Sequence, residues 1–289
     1  MRIFDCFTFY NELDLLQLRI SELYDKVDYF VIVEANTTFT SKPKYFMYEK
    51  ARARFAKWAD KIIHVKVLDM PFSKNPWDNE KFQRDAIVRG IGSAEPDDII
   101  IVSDLDEIPR PEAIDYIRQS QQSLFAMRMP LFNFKYNYMR LTPGHYDVWG
   151  MAARKSILDQ TTPDLLRGLR FNFFDLPYQY SNDGCEVIEH AGWHFGYLGD
   201  NAYLRDKAQS FSHQEVNYPE FLANIDVDKS IAERKEWDRN QSARYGIVEL
   251  DAYFPKMLLE DRDRYSKEFI LPEPELKIID LLPPFPYNK

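Results

Sequence analysis

Cysteine is almost absent from this sequence. Cys6 and Cys185 are the only two in 289 residues, too few for a disulfide-rich scaffold or a thiolate zinc cluster. A single bridge between them is left open, and a reduced compartment is the simpler expectation. No run of about 18 apolar residues occurs, so no transmembrane span is expected. The chain passes from Met1-Arg2 directly into IFDCFTF, without the apolar core and small-residue cleavage site of a signal peptide. The cytoplasm is therefore the expected location. Basic residues are also in short supply, 37 Lys and Arg against 46 Asp and Glu for a net charge of −9. That balance argues against nucleic acid as a partner, which needs a basic face. Any phosphate-bearing ligand would need local compensation, and a metal ion is the obvious candidate. No Gly-x-Gly-x-x-Gly or Walker-type loop is found to cradle it. No Gly-x-Ser-x-Gly elbow supports covalent acyl transfer. Only five histidines exist (64, 145, 190, 194 and 213), too sparse for the dinuclear site of a metal-dependent phosphodiesterase.

Aromatics are abundant, 15% of the chain; such side chains suit sugar rings, although most belong in a core. The first 130 residues alternate between strand-like and helix-like segments. Ile3 to Phe9 reads as a strand, followed by Leu13, Leu16, Ile20 and Leu23 at helical spacing with Asn11 as the cap. Tyr29 to Val33 is an apolar run suited to a parallel strand covered on both faces. Residues 49–60 read as helix, and Ile63, Val65 and Val67 alternate as a strand. A helix is expected over 78–89, then the short buried strand DIIIV at 98–102. Pro111 suits the first turn of the next helix, and Leu124 to Met129 closes the series as a strand. This alternation predicts an α/β fold with a mostly parallel sheet, in which ligands bind beyond the carboxyl ends of the strands. Beyond residue 130 come the aromatic segments FNFKYNY and FNFFDLPYQY, a charged helical stretch near 228–242 and a Pro-rich tail. The expected organisation is one continuous domain with an α/β half over 1–130 and a less regular half over 131–289, which the family resemblance described below would make the nucleotide-sugar-binding and acceptor-binding halves.

The sharpest feature is Asp104-Leu105-Asp106-Glu107, directly after the DIIIV strand. Two carboxylates one residue apart at a strand mouth can converge on Mg²⁺ or Mn²⁺, which share their remaining positions with phosphates. The plainer alternative is a helix-start loop rich in Asp and Glu. It is not an EF-hand loop, whose downstream ligands are missing. Lys207, Arg84 and Arg205 are candidate phosphate contacts. A second feature, Gly192-Trp193-His194-Phe195 near Glu186, Glu189 and His190, offers a stacking face and a metal ligand or proton acceptor. Its plainer alternative is a buried histidine satisfied by its own hydrogen bonds.

Three strings in order, NELDLLQLRISELYDKVDYFVIVEANTTF, SDLDEIP and AGWHFGYLGD followed by Lys207 and SFSH, resemble glycosyltransferase family 17, from about Phe4 to His213. The resemblance implies a GT-A-like nucleotide-sugar transferase, inverting and metal-assisted. The donor would be a UDP-sugar, the transferred sugar N-acetylglucosamine or a related hexose, and the acceptor a glycan or glycoconjugate. Under this reading Asp106, with Asp104 and His194, holds Mn²⁺ or Mg²⁺. Glu12, Glu34, Gln83, Arg84, Asp104, Trp193 and Lys207 contact the donor. Glu189, and after it Glu107, is the expected catalytic base. Animal members of the family are membrane-anchored Golgi proteins with larger bodies. The expectation here is instead an unanchored chain, compatible with peripheral membrane association, whose acceptor is a bacterial-type surface glycan. The competing reading is a non-catalytic nucleotide-sugar or glycan-binding scaffold of the same fold.

Overall fold

The computed structural model describes residues 1–142, 146–173, 184–235, 242–261, 264–265 and 270–282. His145, much of the FNFFDLPYQY segment, the end of the 228–242 stretch and the last residues of the tail lie outside them. The elements in chain order are β1 (Ile3–Thr8), α1 (Leu13–Leu23), β2 (Tyr29–Ala35), α2 (Met47–Lys50), β3 (Ile62–Val67), α3 (Pro76–Asp85), β4 (Ile99–Asp104), β5 (Glu107–Pro109) and α4 (Pro111–Gln119). They continue with β6 (Leu124–Asn133), β7 (Tyr138–Arg140), β8 (Tyr146–Arg154), α5 (Lys155–Leu158), α6 (Pro163–Gly168), β9 (Cys185–Ile188), β10 (Gly192–Gly196), α7 (Asn201–Ser210) and β11 (Tyr245–Ile247), with further short helices towards the C-terminus.

The sheet runs β11-β7-β6-β8-β4-β1-β2-β3. Strands β4, β1, β2 and β3 are mutually parallel, the Rossmann-like nucleus that the alternation in the first 130 residues predicts. Around it the sheet is mixed. Strand β8 inserts between β4 and β6 and is antiparallel to both, so the sheet continues across residue 130. Strand β10 adds beside β6 and pairs on its other side with the three-residue β5.

Side-chain alternation sets what each face of the nucleus does. On β1, Ile3 and Phe7 face the apolar cluster containing α1 and α4, whereas Phe4 and Cys6 face the opposite cluster. Asp5 shares the α1 face, and the fully buried Arg19 of α1 meets it with Nη2 2.5 Å from Oδ1. On β4, Ser103 and Asp104 likewise point to opposite faces, as period two requires.

Several local expectations are revised. Asn11 does not cap α1: Glu12 occupies the cap position, and its carboxylate accepts the Asn11 N–H at 3.0 Å. Residues 49–60 form mostly a 3₁₀ segment over Arg52–Lys61, preceded by the single turn α2. The helix expected over 78–89 begins at Pro76, with the Asn75 side chain accepting the Trp77 N–H, and tightens to 3₁₀ at Ala86. Pro111 does open α4. Cys6 and Cys185 are buried free thiols.

Candidate functional site

The carboxyl ends of β1, β2 and β4 open into a cavity of about 500 Å³, where parallel α/β sheets bind ligands. The nucleus supplies Thr8 to Tyr10 and Thr37 to Phe39; the loop after β4 supplies Asp104 to Glu107. Gln83 and Arg84 enter from α3, His194 and Gly196 from β10, and Lys207 from α7.

The loop after β4 is held from behind. Arg19 Nη1 donates to the carbonyls of Asp104, Leu105 and Glu107 at 2.8, 3.2 and 3.0 Å, and Nη2 donates to Ser103 Oγ at 2.7 Å. The chain then reverses into β5, where His194 lies opposite Glu107 and the Phe195 N–H donates to the Asp106 carbonyl at 2.7 Å. Gly192 makes this approach feasible: a Cβ there would sit 2.0 Å from the Ile108 carbonyl oxygen.

The outcome separates the two carboxylates of the Asp-x-Asp. Asp104, on the α3 and α6 side, has one oxygen 3.1 Å from Arg84 and the other 3.1 Å from Arg167. Although burial opposes ionisation, the charges of Arg167, Arg84 and Arg170 hold its pKa far below the usual carboxylate range. Glu107 pairs with Arg167 and accepts the Asp104 N–H at 2.7 Å; burial pushes it up to about 7 against the pull of that arginine. Asp106 turns the other way, 3.5 Å from Lys207 Nζ and 3.8 Å from His194 Nε2. Ligand atoms of Asp106, Glu107 and His194 lie within 4.8 Å of one another. His194 is pushed down to about 4, chiefly by burial, and its buried Nδ1 has no hydrogen-bond partner. A neutral imidazole beside a carboxylate fits a borderline divalent cation. That three-residue set contains Asp106 and His194 of the expected ligands and Glu107 in place of Asp104.

The other expected donor contacts divide. Glu12, Gln83, Arg84, Asp104 and Lys207 line the cavity. Glu34 does not: it is fully buried and accepts from Lys44 at 3.0 Å, Tyr48 N–H at 3.3 Å, His64 at 3.0 Å and the Met47 N–H, anchoring α2. Trp193 does not either. Alternation along β10 sends it to the core, stacked on Phe195 with a 6.4 Å centroid separation, Arg110 over its ring and Nε1 donating to the Tyr253 carbonyl. Glu189 is buried with Oε1 3.0 Å from Arg128 and does not line the cavity. Arg205 is spent on the carbonyls of Leu222 and Ile225.

Sequence reasoning missed Trp77, Trp149, Arg167 and Arg170. Trp149 meets His194 edge-on at 4.3 Å, and Trp77 meets His213 at 4.5 Å. Arg170, its pKa lowered to about 10 by burial and the neighbouring Arg167, approaches Glu107 at 3.7 Å. Trp149 sits on a strand no motif announced; the two arginines precede an aromatic segment, and their spacing carries no signal.

Comparison with known proteins adds an independent line. Residues 1–272 match glycosyltransferase family 17. The chain belongs to that family. It is 22% identical over 296 aligned residues to the beta-1,4-mannosyl-glycoprotein 4-beta-N-acetylglucosaminyltransferases of Rattus norvegicus and Homo sapiens, with 91% of this chain covered. The match takes in 54% of each of those proteins, so the chain spans about half the length of the curated relatives it matches. Among solved structures, a galactosyltransferase LgtC complexed with donor and acceptor sugar analogs is similar over 65% of this chain and 73% of that one. At 11% identity and a TM-score of 0.35, that likeness is too remote to bear on the site. Among the described residues, no helix is long and apolar enough to cross a membrane.

Proposed function

We propose that the protein is an inverting, metal-assisted glycosyltransferase of GT-A type that moves a hexose or N-acetylhexosamine from a UDP-sugar to a glycan acceptor. One observation carries this reading: in a chain of a sugar-transferase family, the Asp106–Glu107–His194 cluster borders a cavity at the carboxyl ends of parallel strands. The names of the relatives support N-acetylglucosamine as the sugar and a mannosyl glycan as the acceptor class.

The nucleoside sits against Thr8 to Tyr10 and Thr37 to Phe39, with Trp77 as a flat wall. The diphosphate faces Arg84, Arg170 and Lys207. Asp106 and His194, with Glu107 behind them, would hold Mn²⁺ or Mg²⁺, which as a Lewis acid supplies stabilisation of charge on the leaving diphosphate. An acceptor hydroxyl oxygen attacks the anomeric carbon and forms the new glycosidic bond. The bond to the diphosphate breaks, and its electron pair leaves with UDP.

The hydroxyl proton needs a base, and the pairing of the carboxylates narrows the choice. Asp104 and Glu107 are committed to arginines and Glu80 to Arg84 and Ser212, and Asp106 would be taken up by the cation. Glu12 remains: it lines the cavity beside Asp106 and Lys207, and its carboxylate is oriented by the Tyr203 hydroxyl at 3.2 Å and the Asn11 N–H. Glu12, in place of Glu189, is therefore the group that takes the proton.

The test is UDP release from a panel of UDP-sugars by the purified protein. Release with Mn²⁺ that stops on chelation is expected. No release and no binding of any UDP-sugar would reject transfer from such donors, and binding without release would favour the non-catalytic scaffold.

A further inference from the structure

A second cavity, of about 320 Å³, adjoins the first. The two share Glu12, Asp106, Tyr197 and Lys207, so the candidate cation and the candidate base stand on a common edge.

Its lining is chemically distinct from the first cavity. Tyr197 and Tyr203 provide ring surface, backed by the buried Tyr136 and Phe195, which meet edge-on at 4.9 Å. Asn11, Asp14 and Arg54 provide polar groups on one side; Arg54 pairs with Asp14 and donates to Gln17 at 2.7 Å. Asn11 Oδ1 is buried without a hydrogen-bond partner. A buried acceptor atom left unsatisfied costs free energy unless something donates to it. Tyr197, directly after β10, is held at a φ of +53°, a strained conformation for a side chain of this size and one that concentrates at ligand sites.

Ring faces combined with fixed carboxylate, amide and guanidinium groups recognise a pyranose: apolar C–H faces pack on the aromatics, and hydroxyls pair with the polar rim. The volume falls in the range of small-ligand sites. Arg54 is already paired and Lys207 stands at the edge shared with the first cavity, so the space beyond that edge is a poor diphosphate site.

We propose that this second chamber is the subsite for the terminal hexopyranose of the acceptor, seating it so that its reacting hydroxyl meets Glu12 at the common edge. The proposal rests on the transferase reading for the role of the sugar; that a pyranose binds in the chamber is tested without turnover.

The experiment is saturation-transfer-difference NMR on the full chain with four probes: the methyl β-glycosides of mannose, glucose, galactose and N-acetylglucosamine. UDP binding is measured in parallel by calorimetry. At least one glycoside should receive saturation from the wild type. Leu198→Trp, which fills the chamber from a position that does not line the first cavity, should weaken that glycoside's binding about tenfold or more, equivalent to about 1.4 kcal/mol. Leu198→Phe, a milder filling, guards against misfolding, and an unchanged melting temperature certifies each variant. No signal from any glycoside on the wild type, or an undiminished signal on a folded Leu198→Trp, overturns the proposal. Glycoside binding without UDP binding would instead remove the transferase reading while the chamber stands as a sugar site.

Discussion

Arg19 does not line the cavity, yet the loop that borders it is held by this side chain. Its side chain is fully buried, pairs with Asp5 and gathers three carbonyls of the loop that carries Asp104, Asp106 and Glu107. Arg19→Met should cost ~3–5 kcal/mol, because Asp5 is left as an uncompensated buried charge. Adding Asp5→Leu should restore most of that stability, since an apolar pair of similar volume can replace a buried ion pair. Turnover should nevertheless stay depressed by ~10-fold or more, as expected when support for a ligating loop is lost. Denaturant unfolding and kcat on the two variants check this; a stable double variant with normal kcat would show that Arg19 serves folding alone. At this scale the sequence was least legible. Glu34 and Glu12 look alike as carboxylates near strand ends, yet one is buried as the anchor of α2 and the other lines the cavity. Trp193 is the conspicuous aromatic of its motif, but the alternation of β10 sends His194 to the cavity and Trp193 to the core.

Strand β5 is the element on which the site turns. It is three residues long and survives because β10 pairs with it and β6 flanks β10 in turn. Without that pairing, Asp106 would not be carried to His194. Gly192→Ala should therefore do more than an ordinary surface change: the new Cβ would meet the Ile108 carbonyl oxygen at 2.0 Å and the Pro109 Cα at 2.9 Å. A loss of about 2 kcal/mol or more is expected, together with a fall in metal-stimulated donor binding, measured by thermal unfolding and by calorimetry. The strands of the parallel nucleus were readable because buried parallel strands are apolar runs between helical spacings. The pairing of β5 with β10 was not readable, since the contact joins residues more than 80 positions apart and neither strand is long enough to announce itself. The family resemblance carried by the three strings is borne out by the match over residues 1–272.

For the molecule as a whole, the sheet joins both halves of the chain, because β8 lies between β4 and β6. Cys6 in β1 and Cys185 in β9 are free, and both thiols have pKa values raised chiefly by burial. Stability should accordingly be indifferent to reductant: the melting temperature with and without dithiothreitol is expected to agree within about 1 °C, a shift smaller than loss of a disulfide of ~2–4 kcal/mol would produce. The acidic balance of the chain also acquires a local meaning. At the cavity, Lys44, Arg84, Arg140, Arg170 and Lys207, with Arg167 behind them, stand against Glu12, Glu80, Asp104, Asp106 and Glu107, so the net charge of −9 is not reproduced there.

The proposed transfer requires a diphosphate held jointly by the basic side chains of the cavity and a divalent ion on Asp106 and His194. Calorimetric titration of UDP into the wild type and Asp106→Ala, each with Mn²⁺ and with chelator, separates these two contributions. Mn²⁺ is expected to tighten UDP binding to the wild type by about tenfold or more and to leave Asp106→Ala unchanged at the weak, metal-free affinity. Equal UDP affinity in all four titrations, or full Mn²⁺ stimulation of Asp106→Ala, would contradict it.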